Sequence, residues 1–280
     1  MAFVFLGMTK GPIGIFDSGY GGLTVLKEIT ATLPQYDYIY LGDNARAPYG
    51  SRSFETIYQY TLQCVEWFFQ QGCPLVILAC NTASAKALRS IQQIDLPKMD
   101  STKRVLGVIR PTSEIIGAFT QTNHVGILGT TGTIQSNSYQ LEIEKFFPGI
   151  EIFQQACPMW VPLVENNEYQ NAGTDFFVQK YCAELLAQSP NIDTLLLACT
   201  HYPLLIDKIK ANIPTGIKLV SQGKIVADSL ADYLLRHPLL EDHCTKNGQS
   251  AFYTTDATAD FDAKAAIFYG QPVQSTQVSL

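Results

Sequence analysis

Nowhere in its 280 residues does this chain run for about 18 apolar positions without a break, so no membrane-spanning helix is expected. No five consecutive Lys or Arg residues occur, and the formal net charge is −6. That is a poor match to the clustered positive charge that nucleic acid demands. There is no CxxC pair, and the seven cysteines are an odd number without framework spacing. Free thiols in a reducing compartment fit this pattern better than disulfides. The opening "MAFVFLGM" lacks a positive flank and is too short for a signal peptide, so a cytoplasmic location is expected. With 46% hydrophobic and 16% charged residues, the chain has enough apolar material for one large core or two medium ones.

What is present is an alternation of short apolar runs with helix-like segments. Strands are expected at 13–16, 38–41, 75–79, 105–109, 125–128, 151–153, 194–198 and 217–220, with helices at 54–71, 83–93, 176–188 and 204–211. Because the strand runs are continuously apolar rather than alternating, they read as parallel strands covered on both faces, and the fold class as α/β.

The sequence also echoes itself. "IGIFDSG" at 13–19 resembles "VGILGTT" at 125–131, and "VILACNT" at 76–82 resembles "LLLACTH" at 195–201. The offsets are 125 − 13 = 112 and 199 − 80 = 119 residues, in the same order along the chain. Two similar α/β domains with parallel-rich sheets are expected, related by a pseudo-twofold axis. Breaks are expected at "RPTS" (110–113) and "SQG" (221–223), and the helical period after 224 is expected to return to the first half. That gives a discontinuous first domain, 1–110 plus 222–280, and a second at 111–221. Ligands of open α/β sheets bind beyond the carboxyl ends of the strands, which directs both halves toward one interdomain cleft.

The stretch "IGIFDSGYGG" has the outline of a strand, a glycine loop and a helix, as in phosphate sites. Asp17 at its mouth argues against a phosphate. Cys80 and Cys199 each end a predicted strand and precede a helix, where backbone N–H groups are expected to lower a thiol pKa. Two such thiols in two halves suit inversion of a carbon centre. A base removes a proton from one face, an acid supplies one to the other, and the roles exchange in reverse. The intermediate carbanion beside a carboxylate needs hydrogen-bond donors aimed at it in advance.

The motifs "FDSGYGGLTVL", "GDNARAPYG", "LACNTASA", "PLVENN" and "ACTHYPLL" resemble, in order and over nearly the whole chain, the glutamate racemase family. The resemblance implies a cofactor-independent, metal-free isomerase that interconverts L- and D-glutamate for bacterial peptidoglycan, commonly as a homodimer. It assigns Cys80 and Cys199 as proton carriers, and Asp17 and Ser18 to the substrate ammonium. Tyr49 and Gly50 go to a carboxylate, and Asn81, Thr82, Thr200 and His201 to the remaining contacts. Asp43 and Glu165 match supporting acids, and Glu165 is expected to hold His201 as imidazolium and so favour a Cys199 thiolate. Plainer alternatives stand beside these: a turn or helix cap for Asp17, a proline turn around Tyr49, surface carboxylates for Asp43 and Glu165, and helix capping for Thr130 and Thr133. Thr112 departs from the glycine that many members carry near the hinge.

Other features read as structural. His237, His243 and Cys244 form a helix end rather than a metal site, Cys64, Cys73, Cys157 and Cys182 are packing residues, and "PMWVP" is an apolar loop at a possible subunit contact. Three rival functions remain open. One is a related two-cysteine racemase acting on aspartate, a hydantoin or another dicarboxylate. Another is a cysteine hydrolase using Cys199 with His201, which requires residues two apart to face each other. The last is a two-lobed ligand receptor.

Overall fold

The computed structural model describes residues 10–280, so the opening segment "MAFVFLGM" lies outside the described residues. Its ten strands are β1 (Ile13–Asp17), β2 (Tyr38–Gly42), β3 (Leu75–Leu78), β4 (Arg104–Gly107), β5 (His124–Gly129), β6 (Glu151–Ala156), β7 (Thr194–Ala198), β8 (Lys218–Val220), β9 (Ser250–Thr254) and β10 (Ser275–Gln277). They form two sheets, ordered β10-β9-β2-β1-β3-β4 and β6-β5-β7-β8, and every pairing is parallel. Within the first sheet, β2-β1-β3-β4 repeats the order of the second.

The repetition extends to register. Gly14 of β1 lies opposite Val76 of β3, and Gly126 of β5 lies opposite Leu195 of β7. Those are the positions related by offsets of 112 and 119. Each glycine also admits the helix that precedes the neighbouring strand. A Cβ at Gly14 would lie 2.6 Å from the Phe68 ring, on the helix Phe54–Gln70. One at Gly126 would lie 2.8 Å from Leu185, on the helix Ala172–Leu186. A residue with no side chain lets the helix sit close against the sheet at the same point in both halves.

All eight expected strands form, with shifted ends. The run expected at 105–109 stops at Gly107, and "RPTS", expected as a break, lies inside the helix Ile109–Ile115. Pro111 is third in that helix, within the first turn, where its missing N–H removes no helical hydrogen bond. The helix expected at 83–93 is interrupted, running Asn81–Lys86, then Leu88–Ser90, then a wide turn at Ile91–Asp95. After β8 the helix Gly223–Arg236 packs on Leu23–Thr32, against the first sheet. "PMWVP" is not a surface loop. Trp160 is fully buried at the head of the helix Trp160–Glu165, with its ring edge-on to Tyr202 at 4.7 Å.

All seven cysteines are free and buried. His237 and His243 each direct Nδ1 to a backbone carbonyl four residues back, at 2.7 and 2.6 Å, and Cys244 Sγ donates to the Leu240 carbonyl. Among the described residues no helix is long and apolar enough to cross a membrane.

Candidate active site

β1 and β3 are neighbours in the first sheet and β5 and β7 in the second. The carboxyl ends of β1, β3 and β7 carry Asp17, Ser18, Cys80, Asn81, Thr82, Cys199, Thr200 and His201, while Asp43, Tyr49 and Gly50 follow β2 and Glu165 ends the helix Trp160–Glu165. Cys80 follows β3 and caps the helix Asn81–Lys86, its sulfur accepting from the Ala83 N–H at 3.5 Å. It also donates to Ser18 Oγ at 3.5 Å. Only 6% of Cys80 and 7% of Cys199 are exposed. The expectation of a lowered thiol pKa fails at Cys80, which is pushed up to about 12. Burial is the main cause, the Asp17 carboxylate adds to it, and the Ser18 and Ala83 contacts are too weak to reverse it. Cys199 adds a smaller rise in the same direction.

Cys199 follows β7 and leads through a turn into the short helical segment Tyr202–Leu205, with Pro203 in its first turn. Cys199 Sγ lies 3.8 Å from His201 Nδ1, so these residues do face each other, against the expectation for a pair two apart in a turn. The reason is the turn that follows β7, where Tyr202 N–H returns to the Cys199 carbonyl and folds the imidazole back over the sulfur. On its other side, His201 Nε2 lies 2.9 Å from Glu165 Oε1. Burial disfavours charge on His201, yet the Cys199 and Glu165 contacts outweigh it and hold its pKa well above the ordinary imidazole value. Glu165 is therefore no free surface carboxylate.

Asp17 is fully buried. Its carboxylate accepts from the Gly19 N–H at 2.9 Å, as a turn residue would, and from Thr200 Oγ1 at 3.3 Å across the cleft. Burial raises its pKa, and His201 works in the opposite direction. The glycines after it have a different use from phosphate binding. A Cβ at Gly21 would collide with Thr200 and His201, so the loop is bare where the second half presses on it. Thr24 Oγ1 donates to the Thr200 carbonyl at 3.0 Å in the same seam.

A second seam joins the halves on the other side. Thr82 Oγ1 lies 2.9 Å from Thr130 Oγ1 and 3.3 Å from Thr133 Oγ1, and the Gly132 N–H donates to the Gly50 carbonyl at 2.7 Å. Thr130 also caps the helix Thr131–Gln135, so the capping role and the cross-cleft contact coexist. Asn81 reaches Gln222 and Tyr139. Asp43 touches neither sulfur. It is buried between Arg46 Nε at 2.7 Å, Thr255 Oγ1 at 2.9 Å and the Tyr49 hydroxyl, which donates to it. Its visible task is to fix Tyr49 and the loop leading to Gly50.

Gln222 and Tyr139 were not found by sequence reasoning. Gln222 lies in "SQG", which reads as a polar break, and Tyr139 is one aromatic among many on a helix. Only the packing of both crossovers brings them to Asn81. No cluster of three potential metal ligands occurs among the described residues.

This arrangement can be compared with known proteins. The family description Asp/Glu/Hydantoin racemase matches residues 14–230. The glutamate racemase of Geobacter metallireducens is 40% identical over 270 residues, covering 96% of each chain. Among solved structures, the glutamate racemase isoform RacE1 of Bacillus anthracis superposes with a TM-score of 0.87 at 33% identity, covering 96% of this chain and 98% of that one. The Francisella tularensis glutamate racemase in complex with D-glutamate gives 0.85 at 32% identity, with the same coverage. With two parallel sheets of matching order, and with these matches over nearly its whole length, the chain belongs to the Asp/Glu/Hydantoin racemase family and is an isomerase of that kind.

Proposed function

We propose that the chain interconverts L- and D-glutamate by two-base proton transfer between Cys80 and Cys199. The observation that carries this reading is the pair of nearly buried thiols at equivalent ends of β3 and β7, with one loop serving both: Ser18 contacts Cys80, and Asp17 accepts from Thr200 beside Cys199. The nearness of relatives named glutamate racemase favours glutamate over other substrates of the family.

In one direction an ionised sulfur takes the α-proton, and the electron pair of the C–H bond passes into the α-carbon and its carboxylate. The opposite thiol then gives its proton to the other face and becomes the ionised sulfur. The reverse reaction exchanges the roles, so no net proton is consumed. His201, kept cationic by Glu165, supplies positive charge beside Cys199 when that sulfur is ionised. Cys80, with its raised pKa, is suited to stand as the neutral acid. Asp17 and Ser18 take the substrate ammonium. Tyr49, Gly50, Asn81, Thr82 and Thr200 stand for the carboxylates, where negative charge grows in the transition state. Tyr49 and Thr200 serve through backbone N–H groups, because their hydroxyl protons go to Asp43 and Asp17.

Both sulfurs are almost covered, so substrate entry requires the halves to part. We assign the domains as 1–110 plus 222–280 and 111–221. The first sheet draws its strands from 13–107 and 250–277, and the second from 124–220, which supports this division. Supply of D-glutamate to peptidoglycan in the cytoplasm, by a homodimer, completes the reading.

Incubation with L-glutamate in D2O tests it. Deuterium at the α-carbon of both isomers is expected, together with loss of optical activity. Exchange with aspartate and none with glutamate would transfer the proposal to the related substrate. The hydrolase alternative gains from the Cys199–His201–Glu165 line, but it gives Cys80 nothing to do, so a Cys80→Ser variant that kept full turnover would favour it.

A further inference from the structure

Asn81 is flanked by a fully connected buried group that none of the site motifs contains. Its carboxamide Nδ2 donates to Gln222 Oε1 at 2.8 Å, and its Oδ1 accepts from the Tyr139 hydroxyl. Gln222 Nε2 has two protons and three acceptors within reach, the Tyr139 oxygen at 2.6 Å, Thr112 Oγ1 at 3.0 Å and the Val108 carbonyl at 3.1 Å, so one proton is shared between two of them. Thr112 Oγ1 in turn donates to the Val108 carbonyl at 3.4 Å. Val108 and Thr112 belong to the first crossover between the sheets, and Gln222 stands at the head of Gly223–Arg236 on the second. Asn81, Thr112, Tyr139 and Gln222 are all buried.

The direction of every bond in this group follows from one atom. A backbone carbonyl only accepts, so the Gln222 side chain must turn its nitrogen to Val108. Its oxygen then faces Asn81 and can only accept, so Asn81 must offer its nitrogen there. With the Tyr139 oxygen occupied as an acceptor from Gln222, its proton is free for Asn81 Oδ1. A flipped Asn81 would set its oxygen against the Gln222 oxygen, two acceptors with no proton between them, and would take Oδ1 away from the Tyr139 proton.

We infer that Gln222 is a positioning residue for Asn81. Through the Val108 carbonyl and Tyr139 it fixes which way the Asn81 carboxamide points, and so commits the remaining N–H of Nδ2 to the substrate side, beside Cys80. It also makes the two crossovers part of the same hydrogen-bonded unit as the residue following the thiol. This rests on the reading of Asn81 as a glutamate contact.

The test is a double-mutant cycle on kcat/KM for glutamate. Gln222→Met keeps the shape of the side chain and removes its hydrogen bonds. It is expected to lower kcat/KM about tenfold, the scale of one lost buried hydrogen bond in the transition state. In an Asn81→Ala background the same substitution is expected to have no further effect, because there is no carboxamide left to orient. Tyr139→Phe, which removes one hydroxyl, is expected to give a smaller loss with the same dependence on Asn81. It decides the matter if Gln222→Met fails to fold. Equal losses with and without Asn81, or no loss in the wild-type background, overturn the inference. Selective 15N-asparagine labelling gives a readout that needs no activity: the Asn81 carboxamide protons exchange slowly with water in the intact chain and faster in Gln222→Met. If the intact chain does not act on glutamate, that reading falls, and unchanged amide exchange in Gln222→Met would still overturn the positioning role.

Discussion

The two halves share a skeleton and differ in the charge they put beside their sulfur. With the offset of 112, Asp17 and Ser18 correspond to Gly129 and Thr130. With the offset of 119, Asn81 and Thr82 correspond to Thr200 and His201. Cys80 therefore has a carboxylate and a hydroxyl for neighbours, whereas Cys199 has an imidazole backed by the Glu165 carboxylate. Strand order, register and the glycine under each helix are kept. What the two halves share is packing, and what differs is electrostatics. Two matching frames thus hold two sulfurs with different charges beside them, which is the asymmetry that the proposed two-base reaction would use.

The largest expected effect comes from removing either sulfur. Cys80→Ser and Cys199→Ser should each lower racemisation at least 10³-fold, within the range about 10²–10⁴ that a positioned acid or base supplies. The comparison sharpens if isotope exchange is followed separately from inversion. Each single variant is expected to retain slow exchange from one isomer only, and the two variants from opposite isomers. NMR of L- and D-glutamate in D2O reads both. Retention of the wild-type racemisation rate by either variant would sink the paired scheme.

Next in size is the carboxylate beside Cys80. Asp17→Asn removes a negative charge that raises the thiol pKa, so the Cys80 pKa should fall below its value of about 12. It should remain above the free-thiol value, because burial is the larger cause. Peptide-resolved alkylation of Cys80 across the alkaline range measures this. Racemisation should fall about 10²-fold, as expected when a charged hydrogen bond to the ammonium is lost. An unchanged alkylation profile would show that the Asp17 charge does not govern Cys80.

Glu165→Gln probes the other half. The His201 pKa is raised in the folded state, so the stability it contributes is complete below its unfolded value of about 6.5 and is lost as pH rises through the higher folded value. Thermal unfolding of the intact chain should therefore show a decline on the alkaline side. In Glu165→Gln the raised pKa relaxes toward the ordinary one, so the contribution shrinks and its loss moves toward neutral pH. Activity should drop about tenfold, with the alkaline limb of the rate profile shifted in the same direction. Identical alkaline behaviour in both proteins would mean that Glu165 does not hold the imidazolium.

The sequence made the central strands legible because buried parallel strands are continuously apolar, and the echo at "ACNT" and "ACTH" marked equivalent strand ends. It did not reveal β9 or β10. β10, the three residues "STQ", is the edge strand of the first sheet, and β9 beside it holds only the short apolar run "AFY" with Thr254 alone buried, so neither carries the continuous buried run that marks the central strands. A lowered Cys80 pKa is what the helix start alone predicts, because that is a local feature, whereas the burial that outweighs it comes from packing among residues distant in sequence. Likewise Cys199 and His201 meet through a turn whose geometry no spacing rule gives. Gln222 was invisible for the same reason: its partners lie 83, 110, 114 and 141 residues away.

The smallest expected effect separates the packing of the halves. Gly14→Ala sets a methyl 2.6 Å from an aromatic ring atom of Phe68, a rigid group itself buried, so either strand or helix must shift. Overpacking of this kind costs about 1–3 kcal/mol. Gly126→Ala meets Leu195 Cδ2 at 2.6 Å and Leu185 Cδ2 at 2.8 Å, both ends of flexible side chains that can change rotamer. The second substitution should therefore be milder by about 1 kcal/mol, readable as the difference between two denaturant midpoints at equal slope. Equal costs would mean that the helices approach the two sheets under the same constraint. The divergence between the halves would then be confined to the residues around the sulfurs. A larger cost at Gly126 would instead place the tighter core in the four-stranded half.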